Sequence, residues 1–576
     1  MTSLDLIVVA VYLVFIIVAA ACFRRYAQSS SQFINGGGSM PWWMAGSTAF
    51  MTQFSAWTFT GAAGKAFTDG FPVLVLFWGN ALGFFIACVF FAARYRKLRV
   101  ETSMQVIALR FGKPTEQLFT WLQFPLSTLT AAIWLNGLAY ILSSMTGFGM
   151  VPTLLVTGTV ITFISASGGA WTVNATNVIQ LVLILAITLV TGCFALYVGG
   201  GPGNIIERFP VDFWQGHDIS LWEILLFWIA MILMQQVVST NNAITCYRFL
   251  VTRNEHEARR AAFLAGILFV VGPVLWFIPP WVAALQGADL AAEYPQLGEQ
   301  AGNAAYLYFV QHAMPAGTVG LTLAAMVAAT IAPMSTALNR NAGIFIRNVY
   351  QRPRHSESHL LAMGRWITLL NGVLATLTAW WMAEQEGVGF FELAMMVSSM
   401  FLLPLSIPAM LAVIVRRTPD WAGWSTVLVG AMVSLTFYLG FNPVALPAWL
   451  GGQPLTGREA SDLKFGATVL AHLILTGGFF IGTRIWYSPT QNTLRQQQLK
   501  VFFRNMCRPL QPDEMARVDP AQARRLGALI TGMGLLLLPL LLLAEAPQGL
   551  WLHAAIVGTV LMSGLALRHW AGNNRT

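Results

Sequence analysis

Residues 49–64 read AFMTQFSAWTFTGAAG, a stretch that is apolar enough for a lipid bilayer and yet contains several small polar residues. A helix that only anchors a protein in a membrane needs neither the hydroxyls of Thr52 and Ser55 nor the amide of Gln53. Discontinuous membrane helices with freed backbone carbonyls are typical of ion and solute sites. An interruption over residues 51–54 would free carbonyl oxygens in the middle of the membrane. The alternative is that the small and polar residues serve helix packing and bond back to their own helix, and these residues alone leave both open.

The composition of the whole chain indicates a polytopic membrane protein. Of 576 residues, 56% are hydrophobic and 10% are charged, with a mean hydropathy of +0.63, whereas soluble domains have about 25% charged residues. The formal net charge of +9 is interpreted as membrane topology and not as nucleic-acid binding, because Lys and Arg concentrate in cytoplasmic loops. The five cysteines are scattered without a CxxC pair, so we expect neither a disulfide framework nor a zinc site.

Windows of about 20 apolar residues predict fifteen transmembrane helices. The first has no basic residue before its apolar run, so it is predicted to be a retained helix and not a signal peptide. The fifteen predicted helices span residues 4–22, 41–68, 71–93, 117–146, 150–167, 174–199, 221–247, 259–286, 315–339, 361–382, 389–415, 422–441, 465–487, 526–545 and 548–568.

The distribution of basic residues predicts the orientation. If the N-terminus lies outside, 29 of the 33 Lys and Arg residues fall in segments assigned to the inside, and one missed helix would destroy this partition. We therefore predict an outside N-terminus and a cytoplasmic C-terminus. The basic segment 488–525 is either a peripheral segment on anionic headgroups or a solvated tether, and the sequence leaves both open.

The ninth predicted helix contains Pro333, which has no N–H to donate to the carbonyl of Ala329, so we expect a kink or a break there. Ala332, Ser335 and Thr336 share one face of this helix. One carbonyl and two hydroxyls can converge from that face, and neutral oxygens of this kind suit a sodium ion. The alternative is that both hydroxyls bond back to their own helix, which serine and threonine commonly do in membranes.

Several longer motifs resemble those of the sodium:solute symporter family, which includes sodium-coupled sugar, proline, sialic acid, monocarboxylate and vitamin carriers. The resemblance extends from about residue 4 to residue 487. The matching stretches read QFINGGGSMPWWMAGSTAF at residues 32–50, SAWTFTGAAGKAFTDG at 55–70, NNAITCYRFLVTRNEHEARRA at 241–261 and AAMVAATIAPMSTALNRNAGIFIRNVYQR at 324–352.

The resemblance implies an all-α LeuT-type fold built from two inverted repeats of five helices. Helices fourteen and fifteen are an extension beyond the resemblance. The implied divisions are a first helix and loop at 1–40, repeat one at 41–200, repeat two at 221–415, helices twelve and thirteen at 416–487, the basic linker at 488–525 and accessory helices at 526–576.

The resemblance also implies site residues. The sodium ligands would be the carbonyls of Met51, Phe54 and Ala332 and the hydroxyls of Ser335 and Thr336. The solute would lie beside the sodium ion, close to Gln53, Ser55, Trp57, Thr58, Phe77, Asn242 and Met395. Asn242 belongs to an amide cluster, Gln235, Gln236, Asn241 and Asn242, that binds substrate or satisfies an unwound backbone, and both interpretations stay open.

Two departures from the family pattern bear on the solute and the coupling. Phe77 and Met395 stand where sugar-transporting members place polar groups, which makes a simple hexose less favoured because its hydroxyls need replacement hydrogen bonds. Asn177 stands in Thr176–Gln180 where the family pattern has an acidic residue. An amide cannot titrate or neutralise an ion, so we expect one sodium ion held by neutral oxygens alone.

The expected function is that of a sodium-coupled secondary symporter, which imports a small organic solute by alternating access across a bacterial inner membrane or a plasma membrane. The expected partners are the solute and the lipid bilayer, with no nucleic acid, and the sequence does not indicate an oligomeric state. No enzymatic activity is expected. The alternatives are a transporter-like solute sensor, a sodium/sugar symporter with an atypical site, and a channel, although a channel needs a continuous pore.

Overall fold

The computed structural model describes residues 3–24, 29–210, 212–350, 356–384, 395–445, 454–488, 493–516, 520–543 and 547–573. Within these ranges the chain is helical, with one isolated β-bridge between Met40 and Thr252. Thirteen helices in the described ranges are long and apolar enough to cross a membrane. A helix in three segments and a shorter apolar helix bring the membrane elements to fifteen, the predicted number.

We number these elements α1 to α15 in chain order. The segmented helix is α2, which consists of Trp42–Met51, Ala56–Phe59 and Gly61–Asp69. The others are α1 Ser3–Phe23, α3 Val73–Lys97, α4 Lys113–Thr146, α5 Met150–Ser167, α6 Ala170–Val198, α7 Trp222–Thr240, α8 Glu255–Leu285, α9 Thr318–Tyr350, α10 Glu357–Ala383, α11 Met395–Leu411, α12 Ala422–Gly440, α13 Gly457–Trp486, α14 Ala521–Leu542 and α15 Pro547–Gly572. Shorter helices outside the membrane elements include Ser30–Asn35, Ser103–Phe111, Gly201–Arg208 and Ala305–Ala313.

The helix α9 is the centre of the bundle. The most apolar 18-residue window of this helix is buried completely, whereas the corresponding windows of α1, α5 and α10 are 39% buried. Helices α1, α4, α6 and α10 pack around α9. Glycines permit the closest approaches between other helices: Gly158 of α5 faces Thr376 of α10, and Gly372 of α10 faces Thr162 of α5. A side chain at either glycine would overlap with the opposing threonine, which is typical of small-residue packing in membranes.

The connecting segments that were predicted to lie inside meet at one face of the molecule. The N–H of Met40, before α2, donates to the carbonyl of Val251 at 3.0 Å. The hydroxyl of Thr102, after α3, donates to the amide oxygen of Asn348 near the end of α9 at 2.9 Å. The odd-numbered helices α1, α3, α7 and α9 therefore end at the same face, as the predicted alternation requires.

The segments assigned to the outside meet at the opposite face. The backbone N–H of Gly320, at the start of α9, donates to the Asp5 carboxylate at the start of α1 at 2.8 Å. Arg458, at the start of α13, pairs with Asp69 at the end of α2. Arg458 was one of four basic residues that the charge distribution left on the outside, and its pairing with a carboxylate accounts for that exception.

The basic linker is packed against the protein over its described part and is not a solvated tether. Its helix, Thr493–Cys507, which we call the linker helix, buries Phe502 against the bundle. Arg495 makes two hydrogen bonds to the carboxylate of Asp420, at 2.8 and 2.9 Å. Beyond the helix, Glu514 accepts two hydrogen bonds of 2.8 Å from Arg99, in the loop after α3. The linker therefore fastens the loop after α3 to the loop after α11.

Candidate ion and solute site

The interruption in α2 lies where the sequence predicted it. The first segment ends at Met51, and the chain then turns through hydrogen bonds from Gln53 N–H to the Phe50 carbonyl at 3.0 Å and from Phe54 N–H to the Met51 carbonyl at 3.3 Å. Ser55 is fully extended, with φ −142° and ψ 176°, and caps the next segment. The carbonyls between Met51 and Ser55 are therefore turned out of the regular helical ladder.

Aromatic packing holds this interruption against α8. The Phe54 ring lies 4.4 Å from the Trp276 ring and 5.4 Å from the Phe50 ring, measured between centroids, and is completely buried. Edge-to-face and offset contacts of this kind stabilise buried rings beyond their buried area. Because the side chain of Phe54 is held in this aromatic cluster, its contribution to an ion site is restricted to the backbone.

Two polar contacts connect the interrupted part of α2 to α9. The amide nitrogen of Asn177, on α6, donates to the hydroxyl of Thr48 at 3.4 Å and to that of Thr336 at 3.3 Å. On the other side of the interruption, the N–H of Ala56 donates to the hydroxyl of Thr330 at 3.3 Å. The two helices therefore run antiparallel here. The residues proposed as sodium ligands on each helix lie between these two contacts, so both sets are at one level of the bundle.

The expectation of a break in α9 is wrong. The α-helix continues through Pro333 from Thr318 to Ile344. The carbonyl of Ala332 accepts hydrogen bonds from the hydroxyls of Ser335 at 3.2 Å and Thr336 at 2.8 Å, which is the back-bonded arrangement that the sequence left as an alternative. Each hydroxyl donates its proton to this carbonyl, so the carbonyl oxygen has both of its lone pairs engaged. The Ser335 oxygen keeps both lone pairs, and the Thr336 oxygen, which also accepts from Asn177, keeps one. Coordination of a cation by the Ala332 carbonyl therefore requires these hydroxyls to turn their protons away from it.

The second interrupted helix is α7, the element that corresponds to α2 if the two repeats are related as predicted. Its regular part ends at Thr240, and a short helix follows at Tyr247–Leu250. The amide of Asn242 accepts from the N–H groups of Ile244 at 2.9 Å and Thr245 at 3.1 Å and donates to carbonyls of α7. In the structure, Asn242 thus satisfies unwound backbone, and its polar atoms are occupied by that role.

A cavity of about 290 Å³ adjoins the interruptions of α2 and α7. Six of the seven side chains proposed for the solute line it, namely Gln53, Ser55, Trp57, Phe77, Asn242 and Met395. Trp57 stacks on Phe77 with ring centroids 6.2 Å apart and forms an apolar wall. The remaining residue, Thr58, is buried and does not line the cavity.

The structure also brings two basic residues to the cavity that the sequence interpretation assigned to cytoplasmic segments. Arg248 and Arg340 line the cavity together with Tyr247. Both arginines were counted among the 29 inside charges, because each stands close to the end of a predicted helix. Each arginine follows the end of its predicted helix by one residue, so a small extension of either helix would have marked it as a functional candidate, as Lys or Arg within a membrane helix is by default.

Comparisons with known proteins agree with this architecture. The model of the sodium:solute symporter family matches residues 33–430. The chain is 24% identical over 491 residues to the sodium/sialic acid symporter of Aliivibrio fischeri. This alignment covers 80% of this chain and 89% of that protein. The chain is also 23% identical over 412 residues to the sodium/glucose cotransporter of Vibrio parahaemolyticus, covering 66% and 75% of the two chains.

A solved structure gives the same result for the fold. The substrate-bound, outward-open structure of a Na⁺-coupled sialic acid symporter has a TM-score of 0.66 at 20% sequence identity, over 85% of this chain and 99% of that chain. This likeness confirms the all-α, LeuT-type fold. Because the family model spans more than half of the chain, the protein belongs to the sodium:solute symporter family and is a sodium-coupled symporter, not an enzyme.

Proposed function

We propose that this symporter couples one sodium ion to one small organic solute through two adjoining sites that meet at the interruption of α2. The sodium ion is held by neutral oxygens, from the carbonyls of Met51, Phe54 and Ala332 and the hydroxyls of Ser335 and Thr336. The observation that supports this most directly is the pair of contacts, Asn177 to Thr48 and Thr336 and Ala56 to Thr330, that brackets these groups.

The solute occupies the 290 Å³ cavity beside the sodium ion, against Gln53, Ser55, Trp57, Phe77 and Met395. Residues 51–55 supply ligands to the ion on one side and to the solute on the other, so neither site is complete unless this short stretch is ordered. Binding of one ligand therefore lowers the cost of ordering the stretch for the other. Coupling of this type is reciprocal, because each ligand raises the affinity for its partner by the same factor.

The proposed orientation has the N-terminus outside and the face that carries the linker helix in the cytoplasm of a bacterial cell or at the inner side of a plasma membrane. The two faces would then open in turn. If the solute is neutral, one sodium ion that moves down about 100 mV gains about 2.3 kcal/mol, which supports a roughly fifty-fold solute gradient.

Replacement of the two hydroxyl ligands tests the sodium site. We expect Ser335→Ala and Thr336→Ala each to raise the half-saturating sodium concentration for uptake by about tenfold or more, because a hydrogen bond or ligand contact to a charged group is worth about 1.5–3 kcal/mol. The matched control is Thr322→Ala, which removes a buried hydroxyl from the same helix that bonds back to Thr318 at 2.9 Å. Parental sodium dependence in both site variants would contradict the proposal.

Uptake in proteoliposomes separates the symporter from its alternatives. A symporter accumulates a labelled solute above its outside concentration when a sodium gradient is imposed and loses the accumulation when the gradient is collapsed. A channel only equilibrates the solute across the vesicle membrane. A dedicated sensor binds the solute and transports none of it.

A further inference from the structure

The cavity lining carries an unbalanced positive charge. Among the described residues that line it, the ionisable side chains are Arg248, Arg340 and Tyr247, and none is Asp, Glu or His. Most other lining residues are apolar, amide or hydroxyl side chains, which are neutral. The two guanidinium groups therefore set the electrostatic potential of the space that receives the solute.

The two arginines approach the cavity from different helices and share an aromatic neighbour. Arg248 is on the short helix Tyr247–Leu250 that follows the interruption of α7, and Arg340 is on α9, one turn beyond Thr336. The Tyr247 ring centroid lies 5.0 Å from Cζ of Arg340 and 5.7 Å from Cζ of Arg248. Cation–π contacts at these distances hold both groups in place but do not satisfy all of their N–H donors.

Several donors of this pair lack acceptors. Nε and Nη1 of Arg248 and Nε of Arg340 are buried without a hydrogen-bond partner among the described residues. Arg248 as a whole is only 6% exposed. The Tyr247 hydroxyl interacts with both arginines, but one hydroxyl cannot satisfy two guanidinium groups. No carboxylate in the described ranges comes within 4 Å of either guanidinium, and the charge that Arg340 faces is the cation of Arg248. A buried charge without a counter-ion is strongly unfavourable.

Another buried arginine in the same protein shows how the sequence satisfies such a group when it is only structural. Arg96 is 8% exposed, and its Nε and Nη2 donate to the carbonyls of Thr252 at 2.5 Å and Arg253 at 3.2 Å. Arg248 and Arg340 have no comparable arrangement. The acceptors that these nitrogens lack can reach them through the cavity that they line, from water or from a bound anion.

We propose that the transported solute is an organic anion whose carboxylate is received by Arg248 and Arg340. The guanidinium fork matches a carboxylate in two parallel hydrogen bonds, and the apolar wall of Trp57 and Phe77 receives the rest of the molecule. A cavity of about 290 Å³ is at the lower end of the roughly 300–1,000 Å³ range of ligand pockets, which suits a small acid. This inference rests on the proposed function, because it assumes that the cavity is the solute site.

The same geometry supplies a reason for coupling. Thr48, Thr336, Arg248 and Arg340 also line a second, smaller cavity, so the cationic pair and the proposed sodium site share one region of the bundle. One carboxylate, Glu101, lines this second cavity as well, but it is paired with Arg347. The bare cations oppose sodium binding, and a bound carboxylate neutralises them. We therefore expect the carboxylate to raise the affinity for sodium and sodium to raise the affinity for the carboxylate.

Thermal stability of the purified, full-length protein in nanodiscs tests this assignment with simple acids as probes. The probes are acetate, lactate, benzoate and gluconate, each compared with a neutral counterpart, namely acetamide, lactamide, benzamide and glucose. Each probe is titrated with 100 mM sodium chloride, and again with choline chloride in its place. We expect at least one carboxylate to stabilise the protein in sodium, its neutral counterpart to have no effect at the same concentration, and the half-maximal carboxylate concentration to be at least tenfold higher in choline.

Variants then locate the binding. Arg248→Gln and Arg340→Gln are each expected to raise the half-maximal carboxylate concentration at least tenfold. The matched control is Arg260→Gln, whose guanidinium is 68% exposed outside the cavity and which is expected to change nothing. If either glutamine variant fails to fold, Arg248→Lys and Arg340→Lys keep the charge but lose the two-pronged geometry, and a several-fold weakening is expected of them.

The outcomes separate this inference from the proposed function. Stabilisation by sodium chloride alone, relative to choline chloride, reports the ion site, and its absence would refute the proposed function. If sodium stabilises the protein but none of the four carboxylates does, the carboxylate assignment is overturned and the sodium site stands. The same conclusion follows if a neutral probe stabilises the arginine variants as much as it stabilises the parent and as much as its carboxylate counterpart does. Parallel titrations with inorganic phosphate and methanesulfonate identify the oxyanion, and a preference for either over every carboxylate would also overturn the assignment.

Discussion

Replacement of Asn177 by aspartate is expected to convert a neutral sodium site into a charged one. The amide nitrogen of Asn177 lies 3.3 Å from the hydroxyl of Thr336. A cation bound to that hydroxyl at about 2.4 Å would be at most about 5.7 Å from the new carboxylate oxygen. At an effective dielectric constant of about 20, a unit charge pair at this distance gains about 3 kcal/mol, or roughly a hundredfold in affinity.

Part of this gain is offset by the cost of ionising a buried carboxylate. Burial raises the pKa of a carboxyl group and a bound cation lowers it, so the affinity of Asn177→Asp for sodium should increase with pH. We expect a tenfold to hundredfold decrease in half-saturating sodium at pH 8, and a smaller decrease at pH 6.

Sodium titrations of uptake in proteoliposomes at pH 6, 7 and 8 measure the effect. Asn177→Ala is the control, because it removes the two bonds to Thr48 and Thr336 without adding a charge, and we expect it to weaken sodium binding by a few-fold at every pH. If Asn177→Asp is monodisperse and active but has the parental sodium dependence at pH 8, the ion is not bound near Thr336 and the proposed ligand set is incorrect.

The remaining predictions concern stoichiometry, orientation and the linker. Uptake by the parent should follow a hyperbolic, single-site sodium curve and be nearly flat from pH 6 to 8, and a sigmoidal curve would require a second ion. Gln497 is exposed on the linker helix, so a cysteine placed there should be unreactive towards an impermeant thiol reagent added to intact cells, and ready labelling from outside would reverse the orientation. Hydrogen bonds from Arg99 lower the pKa of Glu514 to about 2, so the linker contact is present above the ordinary carboxyl pKa and is lost only as the pH falls towards 2. Hydrogen exchange of the linker should therefore be insensitive to pH between 5 and 8 after correction for the intrinsic rate, but faster in Glu514→Gln.

The number of membrane helices, and the grouping of their ends at two faces, followed from the sequence because both depend on composition. Hydropathy identified the fifteen elements, and the basic residues separated the two faces that contacts such as Thr102 to Asn348 later revealed. The polar residues Thr52, Gln53 and Ser55 indicated a helix that does not face lipid, but the interruption at residues 51–54 was favoured over an unbroken, packed helix only with the family resemblance.

Composition did not predict the interruption of α7 after Thr240, the continuity of α9 through Pro333, or the position of Arg248 at the cavity. Pro333 removes one hydrogen bond, but α9 is enclosed by other helices along its apolar length, and that packing keeps the helix regular. The interruption after Thr240 has neither proline nor glycine, because the amide of Asn242 replaces the missing helical bonds. Arg248 was counted with a cytoplasmic segment because it directly follows a predicted helix, and its position along the chain does not specify the direction of its side chain.

The attachment of the linker at two points has a consequence for the rate of the transport cycle. The linker is joined to the loop after α3 by Arg99 and Glu514 and to the loop after α11 by Arg495 and Asp420. If these two loops move apart when this face opens, the linker must stretch or release on each turnover. Both ion pairs are partly buried, with side chains 12–43% exposed, and salt screens such pairs much less than exposed ones. Breaking them would therefore add to the barrier for opening this face, independently of how tightly the transporter binds sodium or its solute.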